Sequence, residues 1–183
     1  MELGLHNKTA IVTGGASTIG KAIAEGFATE NANVVVADVD KKQSTRVVKA
    51  LNTMGDGDAV FIETDVSNAE QVEKMASETL ARFGQIDILI NNAGWVANDL
   101  FLNKPVSDFE KEIAISLWGP INCIRAVAPA MIERSYGKII TIGSDAGRVG
   151  EYQEAVYSAC KGGVNLLSKA LAREFGKYGL NVN

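Results

Sequence analysis

The chain has 183 residues, of which 46% are hydrophobic and 22% charged, and a formal net charge of -4 at pH 7. That length suits one domain with a substantial core, and the composition is that of a soluble globular protein. The acidic balance argues against nucleic acid as a partner; no apolar run reaches the roughly 18 residues of a membrane span, and the N-terminus lacks the shape of a signal peptide, so the expected location is cytoplasmic.

Strand-like and helix-like segments alternate along the chain. Thr9–Thr13 is a short apolar strand, followed by the turn Thr13-Gly14-Gly15-Ala16-Ser17-Thr18-Ile19-Gly20 and a helical pattern over Ile19–Thr29. Asn33–Ala37 reads as a buried strand ending at Asp38, with a charged helix over 41–54 and a Gly/Asp turn at 55–58. A third strand covers Ala59–Glu63 and a third helix Asn68–Phe83, with Ser67 expected at its N-cap. Ile86–Ile90 is the fourth strand; a long helical stretch from Ser107 to Arg134, strand Lys138–Ile142 and a last helix from Glu154 to Lys177 follow.

Strands that are apolar throughout and separated by helices mean a parallel sheet covered on both faces. The expected fold is α/β, doubly wound, in three layers, with residues 1–183 as a single dinucleotide-binding domain. Residues 179–183 look like the start of a sixth strand, so a longer parent protein with a C-terminal substrate lid is expected. Cys123 and Cys160 show neither metal-ligand spacing nor a disulfide framework, so no metal is expected.

The glycine turn follows a strand and opens a helix, the setting in which such a turn receives a pyrophosphate. Gly14 allows the sharp turn and Gly20 close packing, while the helix N-terminus offers free amides and a positive dipole end. Asp38 lies 18 residues beyond Gly20, where a carboxylate accepts the ribose hydroxyls of an adenosine and repels a 2′-phosphate. No arginine follows the turn, so NAD is favoured over NADP.

Tyr157 and Lys161 stand four residues apart, and Ser144 lies 13 residues before the tyrosine. On a helix, positions i and i+4 share a face, which sets an ammonium beside a phenol. A free phenol titrates near pH 10, and a neighbouring cation is expected to bring it towards the range of a general acid/base.

With the Thr13–Gly20 turn, Asp65-Val66, Asn91-Asn92-Ala93-Gly94, Ser144, Tyr157 and Lys161 in this order, the chain resembles the classical short-chain dehydrogenase/reductase family over essentially its whole length. The resemblance implies a Rossmann fold and hydride transfer between NAD and a small-molecule alcohol or carbonyl. It implies Tyr157 as general acid/base, Ser144 as the group holding the substrate oxygen, and Lys161 as a ligand of the nicotinamide ribose that lowers the Tyr157 pKa. Gly14, Ser17, Thr18, Ile19, Gly20 and Asp38 would contact the cofactor, with Asp65 and Val66 at its adenine and Asn92, Ala93 and Gly94 along its riboses. Relatives are homotetramers or homodimers built on the two long helices.

Two positions depart from the family pattern. Thr18 stands where a middle glycine is usual, and Ser116 stands where many members have an asparagine that holds a water of the proton relay. Trp95 is expected near the mouth of the site. The segments around Ser144 and Tyr157 look most like members acting on cyclic hydroxyacyl-CoA thioesters, an acyl-CoA class. They are also similar to 3-oxoacyl-(acyl carrier protein) reductases. A catalytically impaired NAD-binding sensor or assembly subunit is the alternative of another class.

Overall fold

The computed structural model describes residues 3–183. Six parallel strands run β1 (Thr9–Thr13), β2 (Asn33–Asp38), β3 (Ala59–Glu63), β4 (Ile88–Asn91), β5 (Gly137–Thr141) and β6 (Leu180–Val182). Their spatial order is β3-β2-β1-β4-β5-β6. The chain winds outwards from β1 to β3, then returns to lay β4 on the other side of β1. The order therefore reverses between β1 and β4, where open α/β sheets bind ligands at the carboxyl ends of their strands.

Seven helices connect the strands: α1 (Thr18–Thr29), α2 (Lys41–Leu51), α3 (Ala69–Phe83), α4 (Val106–Ile113), α5 (Gly119–Glu133), α6 (Ala146–Val149) and α7 (Ala155–Phe175). Alternate strand residues feed two cores, as the two-residue period of a strand requires. Ile11, Val35, Leu89 and Ile139 pack beneath α3 and α5, with Leu167 and Leu171 of α7 against them. Val12, Val34, Val36 and Ile90 pack beneath α1 and α2. The result is the expected three-layer, doubly wound α/β fold.

Four details differ from the expectations. The N-cap of α3 is Asn68, whose side chain accepts the Gln71 amide; Ser67 instead donates its amide and hydroxyl to Asp65 Oδ1, at 2.9 and 2.6 Å. The fourth strand starts at Ile88, two residues later than expected, and the Asp87 side chain reaches the start of β1 and Arg134 at the end of α5. A short helix, α6, forms inside the segment expected to be a loop. The stretch 106–133 is one rod interrupted by a π-helical turn, Ala114–Trp118, a feature frequent at functional sites. By length and composition alone this rod could cross a membrane, but its fully buried Cys123, Val127 and Met131 are spent on the core of the sheet.

Asp87 ties the other end of the sheet. Oδ2 accepts the Thr9 amide at 2.9 Å, and Oδ1 takes both terminal nitrogens of Arg134 at 3.1 Å.

Candidate active site

A cleft of about 720 Å3 opens at the β1/β4 switch point and is walled by the residues that follow each strand. Gly14 and Ser17–Ile19 come from the turn after β1, Asp38 from the end of β2, and Asp65 and Val66 from beyond β3. Asn92–Gly94 follow β4 and Ser144 follows β5, while Tyr157 and Lys161 come from the first turns of α7. All the expected site residues reach this cleft except Gly20. Gly20 is buried behind it, where a Cβ would collide with the Gly14 carbonyl and the Asn92 side chain. Gly14 has φ +62°, and a Cβ there would lie 3.0 Å from Asn92 Nδ2. Both glycines are required by the space the turn leaves.

The turn is held from across the switch point. Asn92 Nδ2 donates to the carbonyls of Thr13 and Gly14 at 3.0 and 3.1 Å. Thr13 Oγ1 accepts the amides of Asn92 and Ala93 at 3.0 and 3.1 Å and donates to Ile90 O at 3.2 Å. The Asn92 amide group is thus spent on shaping the glycine turn. Thr18 has φ +43°, a left-handed conformation that costs a β-branched residue about 1–2 kcal/mol. Thr18 lines the cleft at the price of that strain.

Asp38 Oδ2 accepts the amide of Ala16 and Oδ1 that of Asp40, both at 3.0 Å. A carboxylate offers about four acceptor sites, so capacity remains for the two hydroxyls of a ribose. The dimensions of the cleft, the two crowded glycines and this carboxylate fit a dinucleotide with its adenosine at the β2 end.

At the other end, Ser144 Oγ accepts the Ala146 amide at 3.2 Å, which fixes the hydroxyl beside the phenol of Tyr157. Burial pushes the Tyr157 phenol above its ordinary range, and the Glu154 carboxylate adds to this; the Ser144 hydroxyl pulls it back. Lys161 is buried and donates to the Ile142 carbonyl at 2.6 Å, with Nζ 5.7 Å from the centre of the Tyr157 ring. Burial also pushes the Lys161 ammonium down, against a smaller opposing pull from the Cys160 thiol. The expected lowering of the Tyr157 pKa by Lys161 is therefore corrected: desolvation of the phenol dominates, and the ammonium is directed at a carbonyl.

Ser116 sits in the π-helical turn, fully buried, and its hydroxyl accepts the Trp95 amide at 3.2 Å and donates to the Trp95 carbonyl at 3.1 Å. It shapes the segment after β4. Thr64, Lys111, Ile115, Ile142 and Gly143 also line the cleft and were not singled out in the sequence. Thr64 and Ile142 each lie one residue past a strand, and Lys111 and Ile115 share a helix face at i, i+4; both signals were readable.

A doubly wound sheet whose switch-point cleft gathers a glycine turn, a strand-end carboxylate and a Ser/Tyr/Lys set defines a dinucleotide-binding oxidoreductase domain. The chain belongs to the short-chain dehydrogenase family, whose model matches residues 8–183. It is 38% identical over 180 residues to an uncharacterised oxidoreductase, YxbG, of Bacillus subtilis, covering 98% of this chain and 65% of that protein. It is 35% identical over 179 residues to a 3-oxoacyl-[acyl-carrier-protein] reductase of Synechocystis, covering 98% of this chain and 72% of that one. An NAD+-bound xylitol dehydrogenase superposes with a TM-score of 0.94 at 29% identity, over 98% of this chain and 69% of that one. The chain thus spans about two thirds of the length of these relatives. None of these three is named for the cyclic hydroxyacyl-CoA activity that the sequence suggested, and that finer expectation has no support from them.

Proposed function

We propose that the chain is an NAD-dependent oxidoreductase that interconverts a secondary alcohol and its carbonyl compound. One observation carries this reading: Ser144, Tyr157 and Lys161 meet Asp38 in a single cleft at the switch point of the sheet. The bound nicotinamide would supply or accept the hydride. Tyr157 Oη gives a proton to the substrate oxygen in reduction and removes it in oxidation. Ser144 Oγ, held by the Ala146 amide, fixes that oxygen beside the phenol and stabilises the charge that gathers on it. Lys161 remains a donor towards a ribose hydroxyl. A phenol carries a transferable proton at neutral pH, so Tyr157 is ready to protonate the substrate oxygen in reduction.

Asp38 favours NAD, because a carboxylate at the ribose repels a 2′-phosphate, and the NAD+-bound xylitol dehydrogenase supports the same cofactor. For the substrate, the name of the Synechocystis relative favours a 3-oxoacyl thioester on a carrier protein over a cyclic hydroxyacyl-CoA. The chain pairs with copies of itself: an apolar groove between α5 and α7, lined by Ile121, Ile124, Ile132, Leu167 and Leu171, favours a homodimer or homotetramer.

The test is calorimetric binding of NADH and NADPH, together with turnover of the Tyr157→Phe variant. NADH tighter by about tenfold, or about 1.4 kcal/mol, and loss of turnover with cofactor binding retained are expected. Tighter NADPH overturns the cofactor assignment, and equal turnover in Tyr157→Phe overturns the catalytic one.

A further inference from the structure

A second constellation of charged groups lies beside the cleft, outside the chemistry described above. Glu112 on α4 is fully buried, Lys104 before α4 is buried too, and their side chains meet at 2.8 Å, Nζ to Oε1. Lysine and glutamate are almost never buried whole unless paired, and a buried ion pair is weak evidence for stability, since apolar side chains of the same volume often serve as well. What the carboxylate offers beyond stability is direction. The same Oε1 accepts the backbone amide of Ala97 at 3.1 Å. One oxygen therefore holds both ends of the segment 97–104.

This segment continues directly from the wall of the cleft. Ser116, one turn beyond Glu112 on the same helical face, grips the Trp95 amide and carbonyl. Lys111 lays its ammonium 4.1 Å from the centre of the Trp95 ring. Trp95, Val96 and Lys111 all line the cleft. Two side chains of one rod, Ser116 and Lys111, thus fix the backbone and the ring of a single tryptophan at the ligand site, and a third, Glu112, holds the backbone two residues further on at Ala97. Glu112 Oε2 makes no hydrogen bond among the described residues, so the whole negative charge depends on Lys104 and the Ala97 amide.

We propose that Glu112 and Lys104 form a buried clamp that positions Trp95 as a preformed wall of the cleft, which makes Glu112 a positioning residue. The proposal rests on the reading of this cleft as the cofactor and substrate site. An indole held in advance is not ordered anew when a ligand packs against it, so its contact area counts more fully towards binding. Releasing the clamp frees the wall and leaves the opposite, adenosine-binding end of the cleft intact. Trp95 is a ready reporter, since the only other tryptophan is Trp118.

The experiment uses Trp118→Phe as background, so that emission comes from Trp95 alone, and measures acrylamide quenching, anisotropy decay and NADH binding. Lys104→Met with Glu112→Met removes both charges together and leaves no lone buried ion. In that variant Trp95 quenching is expected to rise about twofold or more, with a new fast anisotropy component, while far-UV dichroism stays at the background value and NADH binding is weakened but retained. Lys104→Met with Glu112→Gln keeps an acceptor for the Ala97 amide and is expected to restore most of the protection, which simple packing would not do. Unchanged quenching in the Met/Met variant overturns the clamp. If that variant does not fold, Lys104→Met with Glu112→Leu, which likewise removes the acceptor of the Ala97 amide, takes its place, and quenching equal to background there overturns the clamp equally. Failure of the background protein to bind NADH would instead sink the reading of the cleft, because the quenching measurement needs no cofactor.

Discussion

Asp87→Ala should separate stability from ligand binding. The Asp87 side chain is fully buried at the amino-terminal edge of the sheet, where it accepts the Thr9 amide at 2.9 Å and both terminal nitrogens of Arg134 at 3.1 Å. Lys8, at 3.7 Å and partly exposed, adds little. Truncation strands the buried Thr9 amide, at a cost of about 1–3 kcal/mol, and removes a charged pair whose guanidinium can still reach water. The sum is about 3–4 kcal/mol, at the lower end of what breaking a buried ion pair costs. For a domain of this size that lowers Tm by about 6–16 °C. Urea unfolding gives the free energy, and calorimetry at a temperature where the variant is folded gives the NADH affinity. Because the cleft lies at the carboxyl ends of the strands, the affinity should match the wild type. A loss below about 1 kcal/mol, or a fall in NADH affinity in the folded variant, would refute the reasoning.

Three further outcomes are expected. Asn92→Ala leaves two glycine-turn carbonyls without their donor, and should cost about 2–3 kcal/mol of stability and weaken NADH binding as well, read by urea unfolding and calorimetry. Thr18→Gly removes the left-handed strain but adds freedom to the unfolded chain; a net gain of about 0.5–1 kcal/mol is expected in the same unfolding assay. Glu154→Gln removes a charge that raises the Tyr157 phenol. Alcohol oxidation needs the deprotonated phenol, so its rate climbs as pH rises through that pKa, and the variant's pH–rate profile should move to lower pH.

The fold was legible because its strands are uniformly apolar and its helices are not. Val34–Val36 could only be a strand buried on both faces, and the glycine turn could only open a helix after one. The site was legible because each of its parts lies just past a strand end. What stayed hidden depended on three dimensions. The donors on Asn92 are spent on residues 78 and 79 positions away, which no local pattern records. The π-helical turn that seats Ser116 has no sequence signature. The direction of the Tyr157 shift was misread because i, i+4 spacing promises proximity to Lys161, whereas burial and the aim of the ammonium at Ile142 are decided by packing.

The staple between Asn92 and the glycine turn also bears on the order of assembly. A ribosome that has released the first 60 residues has delivered the whole glycine fingerprint together with Asp38. The turn nevertheless lacks the amide donors that shape it until β4 has emerged and docked beside β1. Such distant partners make loop closure the slow event. The dinucleotide therefore cannot template early folding of this chain and can stabilise only the protein in which both halves of the sheet have already met.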